Sequence, residues 1–169
     1  MKRMSRFAAV ALMAATPATI AAQSTAVDCA SYVDLQTISS FALPGAVDAV
    51  AARCRSSLGP KAYLRTSAAG LSARLRASGK SWEEASPAFT RISRLTLGSN
   101  LGGEFVSGAV VDQLVSSGVA EAFEPSSCSQ IDSGIAALAT LPTSRMVDFL
   151  ATLFVMVSAD MNLKMCPAP

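Results

Sequence analysis

Thr143 to Cys166, TSRMVDFLATLFVMVSADMNLKMC, is the stretch whose reading decides the fold. At 100° per residue, Met146, Phe149, Leu150, Leu153, Phe154, Met156, Val157 and Met161 cover about half of a helix circumference. Asp148, Thr152, Ser158 and Ala159, with Val155 among them, leave only a narrow polar or small strip opposite. A helix this apolar has to be enclosed. The apolar run from Phe149 to Val157 falls far short of the ~20 residues that cross a bilayer, and Asp148 and Asp160 flank it. Enclosure by protein follows, and this segment is expected to be the central helix of a soluble bundle. The helix is expected to break near Ser158 to Asn162, where Asp160 would otherwise point into the apolar face.

Outward from it, Leu141-Pro142 forms a turn that brings the chain into this helix. Before that turn, Ser127 with Gln130 at the capping-box position starts a helix carrying Ile131, Ile135 and Leu138 inward. A helix from about Glu104 to Ser117 uses Val106, Val110, Leu114 and Val115, and a short helical turn around Phe123 is bracketed by Gly118 and Pro125. Gly98 to Gly103 reads as a loop or a close-packed helix start. Ser81 and Glu84 make a capping box, and Ser86-Pro87 restarts that helix with Phe89, Ile92 and Leu95 inward. Leu64, Ala68, Leu71 and Leu75 form one stripe, opened by Gly59-Pro60 and closed by Gly79. Nearest the start, a helix from Cys29 ends at Leu43-Pro44-Gly45, because the residue before a Pro is pushed out of the helical region. A second helix then carries Val47, Val50, Ala51, Cys54 and Leu58. No segment alternates with period two, so the fold class is all-α, a single bundle of about six to seven helices.

The first 22 residues read as a signal peptide: a basic Met1-Lys2-Arg3-Met4-Ser5-Arg6, an apolar run from Phe7 to Ala15, then small residues ending at Ala22. Residues 23–169 are then one domain, exported to the bacterial periplasm or secreted. Cleavage reduces the 14 basic residues to 11 against 12 acidic ones, so overall charge gives no support to nucleic-acid binding. All four cysteines, Cys29, Cys54, Cys128 and Cys166, survive cleavage, and an even number in an exported chain reads as two disulfides. If Leu43-Pro44 is a hairpin turn, Cys29 lies near Cys54, so the expected pairing is Cys29 with Cys54 and Cys128 with Cys166.

The chain has no histidine. That removes Ser-His-Asp and Cys-His catalysis, His-ligated metals and His switching. There is no CxxC and no SxxK, and the adjacent Glu83 and Glu84 sit where a helix N-terminus already favours acids. No metal, cofactor or catalytic residue is therefore expected, and the chain reads as a non-enzyme. Charge is segregated instead: nine basic residues lie between Arg53 and Arg94, against only Glu83 and Glu84. Arg65, Arg76, Arg91 and Arg94 are the candidate partner-binding residues, since guanidinium forks suit carboxylates and phosphates. The competing account pairs that segment with the acidic remainder of the bundle through surface ion pairs.

Over residues 128–166 the outline of helix, Leu-Pro turn, helix and terminal Cys resembles small exported helical immunity proteins, which neutralise toxins delivered between bacteria. The resemblance implies binding without catalysis. The expected function is an exported interaction protein, such as an inhibitor, immunity or accessory factor, whose partner is another exported protein, an anionic lipid or a cell-wall component. The alternative is a carrier of an apolar ligand or lipid inside the bundle.

Overall fold

Ser31 starts the longest helix. Its hydroxyl accepts from the Asp34 amide at 3.1 Å while the Asp34 carboxylate accepts from the Ser31 amide at 2.8 Å, a complete capping box. From there α1 (Tyr32–Cys54) runs for 23 residues. The computed structural model describes residues 29–97, 106–158, 160 and 163–167; the expected signal peptide and the Gly98 to Gly103 stretch lie outside the described residues. After α1 come α2 (Tyr63–Thr66), α3 (Ala68–Ser78), α4 (Trp82–Leu97), α5 (Gly108–Ala122), α6 (Cys128–Leu138) and α7 (Thr143–Val157). The fold is the all-α bundle the sequence implies, with two disulfides. Among the described residues extended pairing is limited to one isolated bridge, Ala30 to Met165.

The expected stop at Leu43-Pro44-Gly45 does not occur. Pro44 is buried inside α1, and the helix continues through it. A mid-helix proline removes one ladder hydrogen bond and costs about 3 kcal/mol. Burial of Leu35, Val47 and Val50 on the same helix contributes about 1.5–3 kcal/mol each and outweighs that cost. Pro87 is likewise internal to α4, and Gly118 to α5, so neither restarts nor ends a helix. The Ser81–Glu84 capping box forms as expected, with the Ser81 amide donating to Glu84 at 2.9 Å. Ser127 precedes α6, but its side chain makes no cap hydrogen bond, because a 3₁₀ turn at Pro125–Ser127 leads into that helix instead.

The continuous α1 also overturns the expected cysteine pairing. Cys29 precedes its start and Cys54 is its last residue, so the two stand at least ~33 Å apart at 1.5 Å per residue. Cys29 pairs with Cys166 and Cys54 pairs with Cys128, at Cα separations of 5.0 and 5.5 Å. The first bridge joins the two ends of the described chain, where the Ala30 amide donates to the Lys164 carbonyl and the Cys166 amide to the Ala30 carbonyl, at 2.8 and 2.9 Å. The second fixes the C-terminus of α1 to the N-terminus of α6.

The hub of the bundle is α1, not α7. Helices α3, α4, α5 and α7 all pack against α1. Its small residues Ala42, Gly45, Ala46, Ala49, Ala51 and Ala52 let neighbours approach from several sides. One core cluster joins Val47, Val50, Cys54 and Leu58 to the stripe Leu64, Ala68, Leu71 and Leu75 and to Met146. A second gathers Ala30, Leu35, Ala151 and Leu163. These contacts run α7 antiparallel to α1: Met146 meets the Val47 region, while the Tyr32 hydroxyl donates to the Asp148 carbonyl at 3.1 Å. α7 ends at Val157 with Ser158 as its cap, inside the expected break. Past that point the chain turns toward Cys29.

Candidate functional site

The four expected arginines do not converge. On α1, Asp34 and Asp48 are 14 residues apart, roughly 21 Å, and each holds one of them. Arg91 Nη1 lies 2.6 Å from Asp34 Oδ1, and Arg76 pairs with Asp48. Arg65 donates to the Leu58 carbonyl at 3.0 Å, closing the turn after α1. Arg94 is exposed in the last turn of α4. Burial pushes the Asp34 carboxyl up, but hydrogen bonds from the Ser31 hydroxyl and amide, joined by the Arg91 guanidinium, outweigh it and hold the carboxyl below the usual range. The guanidinium forks of Arg76 and Arg91 thus serve α1, as the account that pairs the basic segment with the acidic remainder of the bundle expects.

Glu83 is held below its ordinary range by its own backbone amide and the Ser81 hydroxyl. The Lys80 ammonium does the same for Glu84, helped by the Ser81 amide. Both are ionised anions at the N-terminus of α4, as the macrodipole favours. A cavity of about 400 Å³ lies between α1, the end of α3 and the start of α7, lined in part by Gln36, Ser40, Ser78, Lys80 and Asp148. Several of its polar groups are already bound to other side chains or to backbone. Lys80 Nζ sits 2.7 Å from Glu84, the Ser78 hydroxyl donates to the Arg74 carbonyl at 3.0 Å, and Gln36 donates to Asp148 at 2.6 Å.

The unusual surface is apolar, and α7 carries half of its large exposed side chains. Val147, Ala151 and Ser158 are its buried side. Opposite them Phe149 is 45% exposed, Leu153 40% and Met156 71%, with Phe154, Val155 and Val157 also open. Apolar surface left exposed on this scale marks an interaction site. Beside it, a cleft of about 220 Å³ opens over α1 between α5, α6 and α7. Its floor is Leu43, Ala46, Val47 and Val50; Val119 and Phe123 form one wall, and Met146 and Leu150 the other. Its lining is almost wholly apolar. Between Arg94 and Arg145 the chain contains no basic residue, and Glu121 and Glu124 flank Phe123. The cleft therefore has an apolar interior, with acidic residues beside its Phe123 wall and Arg145 beside its Met146 wall.

No protein-family model, curated protein or solved structure matches the chain.

Sequence reasoning placed the α7 residues in the core and so missed them as a surface. The signal was present: Phe149, Leu153 and Met156 recur at spacings of four and three while Val147 and Ala151 define another face. A helix apolar on both faces requires two partners, and α1 is only one of them.

Proposed function

We propose that this protein is an exported, non-catalytic binding protein of the periplasm or the secreted space. Its cleft takes apolar side chains from a basic segment of another exported protein. The disulfides support folding in an oxidising compartment. Among the described residues no helix is long and apolar enough to cross a membrane. The observation that carries the reading is the apolar cleft with Glu121 and Glu124 beside its Phe123 wall. The volume favours a protein partner over an enclosed lipid. Small-molecule sites occupy roughly 300–1,000 Å³, whereas about 220 Å³ holds a few side chains of a docked segment. The alternative carrier function draws support from the near absence of polar lining, which suits an acyl chain that enters only partway.

Site-specific photo-crosslinking from position 123 in the exporting cell tests this. The expected product is one exported protein, joined through an apolar peptide that contains Lys or Arg. Reversing Glu121 and Glu124 to Lys should abolish the adduct. The yield from exposed Lys61, which does not line the cleft, serves as the background level. A lipid adduct in native mass spectrometry would favour the carrier instead, and no adduct above background would end both readings.

A further inference from the structure

We infer that the outer seam of α7 is a two-fold interface with a second copy of this chain, the two α7 helices packing antiparallel about Leu153. This rests on a different face from the cleft, whose wall is Met146 and Leu150. The seam reads Arg145, Phe149, Leu153, Met156, Asp160, at spacings of four, four, three and four. Such spacing keeps one line facing a partner helix. The line opposes the buried Val147 and Ala151, and its three apolar members are the exposed ones described above.

Charge selects both the occupant and its direction. Arg145 stands eight residues before Leu153, about 12 Å along the axis, and Asp160 lies in the turn just past the other end of the helix. Both are exposed, and the Asp160 amide still bonds the Val157 carbonyl at 3.1 Å, which continues the turn past the helix end. In an antiparallel pair centred on Leu153, Arg145 of each copy therefore meets Asp160 of the other, at both ends. A parallel pair would set Arg145 against Arg145 and Asp160 against Asp160, which disfavours it. A surface that complements itself under a two-fold rotation is what an isologous dimer requires. Asp148 stays out of the seam, because Gln36 holds it at 2.6 Å on the side of α1.

The area suits a weak dimer. Taking about 200 Å² for a whole aromatic side chain and somewhat less for the aliphatic ones, Phe149, Leu153 and Met156, with Val157 at their edge, leave on the order of 350 Å² per copy. A pair then buries about 700 Å², at the small end, where association is weak and transient. The association should be reversible and concentration-dependent.

Sedimentation equilibrium of the exported protein over roughly 1–500 µM tests the proposal, with far-UV circular dichroism confirming that each variant is folded. The wild type should move from monomer to dimer across that range. Leu153→Glu should weaken association at least ~30-fold, since it places two carboxylates on the two-fold axis. Arg145→Glu alone should weaken it about five- to ten-fold, and adding Asp160→Arg should restore it. A photo-crosslinker at Phe149 should react with Met156 or Val157 of a second copy. A protein that stays monomeric throughout overturns the inference, whether or not the seam then takes up another protein or a lipid surface. So does a dimer indifferent to Leu153→Glu, and so does failure of the charge exchange to restore association.

Discussion

Gly79→Ala should destabilise the protein by about 1–3 kcal/mol, although the backbone at that position favours the opposite outcome. Gly79 follows α3 at φ −80° and ψ 177°, extended backbone that any residue adopts. An unobstructed Gly→Ala change there would stabilise by roughly 0.4–1 kcal/mol through the unfolded chain. Space decides otherwise. An added Cβ would stand 2.8 Å from the Leu75 carbonyl oxygen and 2.9 Å from that of Ser40, both backbone atoms. Ser40 is four residues before Pro44, so its carbonyl is the one that proline leaves without an intrahelical donor. It lies against Gly79. To relieve the Ser40 contact α3 must draw back from α1, loosening the packing of Leu71 and Leu75, and the Leu75 contact, which lies within α3, also forces the backbone at residue 79 to shift. Gly70, within the same α3, has nothing within 4 Å of its added Cβ, so Gly70→Ala should instead stabilise by about 0.5–1 kcal/mol. Urea unfolding followed by fluorescence of Trp82, the sole tryptophan, reads both variants. Its ring packs 5.4 Å from Phe41 and 5.7 Å from Phe89 and reports α1 and α4 together. The midpoint should fall for Gly79→Ala and rise for Gly70→Ala at unchanged slope. If Gly79→Ala unfolds at or above the wild-type midpoint, the close approach of the two helices at Pro44 is wrong.

Replacing Cys54 and Cys128 together by Ala should cost about 4 kcal/mol on the chain-entropy account, from a sequence separation of 74. Removing the Cys29–Cys166 bridge should cost a similar ~4 kcal/mol despite its separation of 137, because the inner bridge already shortens that loop to about 65 residues. Guanidinium titrations measure both, and non-reduced peptide mapping that linked Cys29 to Cys54 would contradict the pairing itself. The depressed Asp34 carboxyl binds its proton less readily when folded than when unfolded, so its contribution is complete above the unfolded value near ~3.9 and is lost as pH falls through the lower folded value. Asp34→Asn should therefore lower stability at pH 7 and flatten its decline below about pH 4, as thermal unfolding across pH 2–7 would register. Ser39 is 2% exposed and its hydroxyl has no hydrogen-bond partner, so Ser39→Ala should raise stability by about 1 kcal/mol in the same denaturation assay.

What was legible in the sequence is what local chemistry decides. The Ser81–Glu84 box and the stripe Leu64, Ala68, Leu71, Leu75 depend on neighbours within a few turns, and both stand in the structure as their spacing implies. The stop at Pro44 failed because its cost is local while the compensation is not: four helices packed on α1 outweigh one missing hydrogen bond. That one error propagated. Cutting α1 in two made a hairpin, the hairpin brought Cys29 to Cys54, and the loss of the real hub left α7 as the apparent centre. The last step marks the limit of composition as evidence. An apolar pattern states how much surface a helix must cover, and it does not say whether the cover comes from its own chain. For α1 it does, with helices packed around it. For α7 one face is met by Val147 and Ala151 against the bundle, and Phe149, Leu153 and Met156 face outward. The same residues that made this helix look like a core are the ones left in water, an apolar seam that the described part of the fold does not cover.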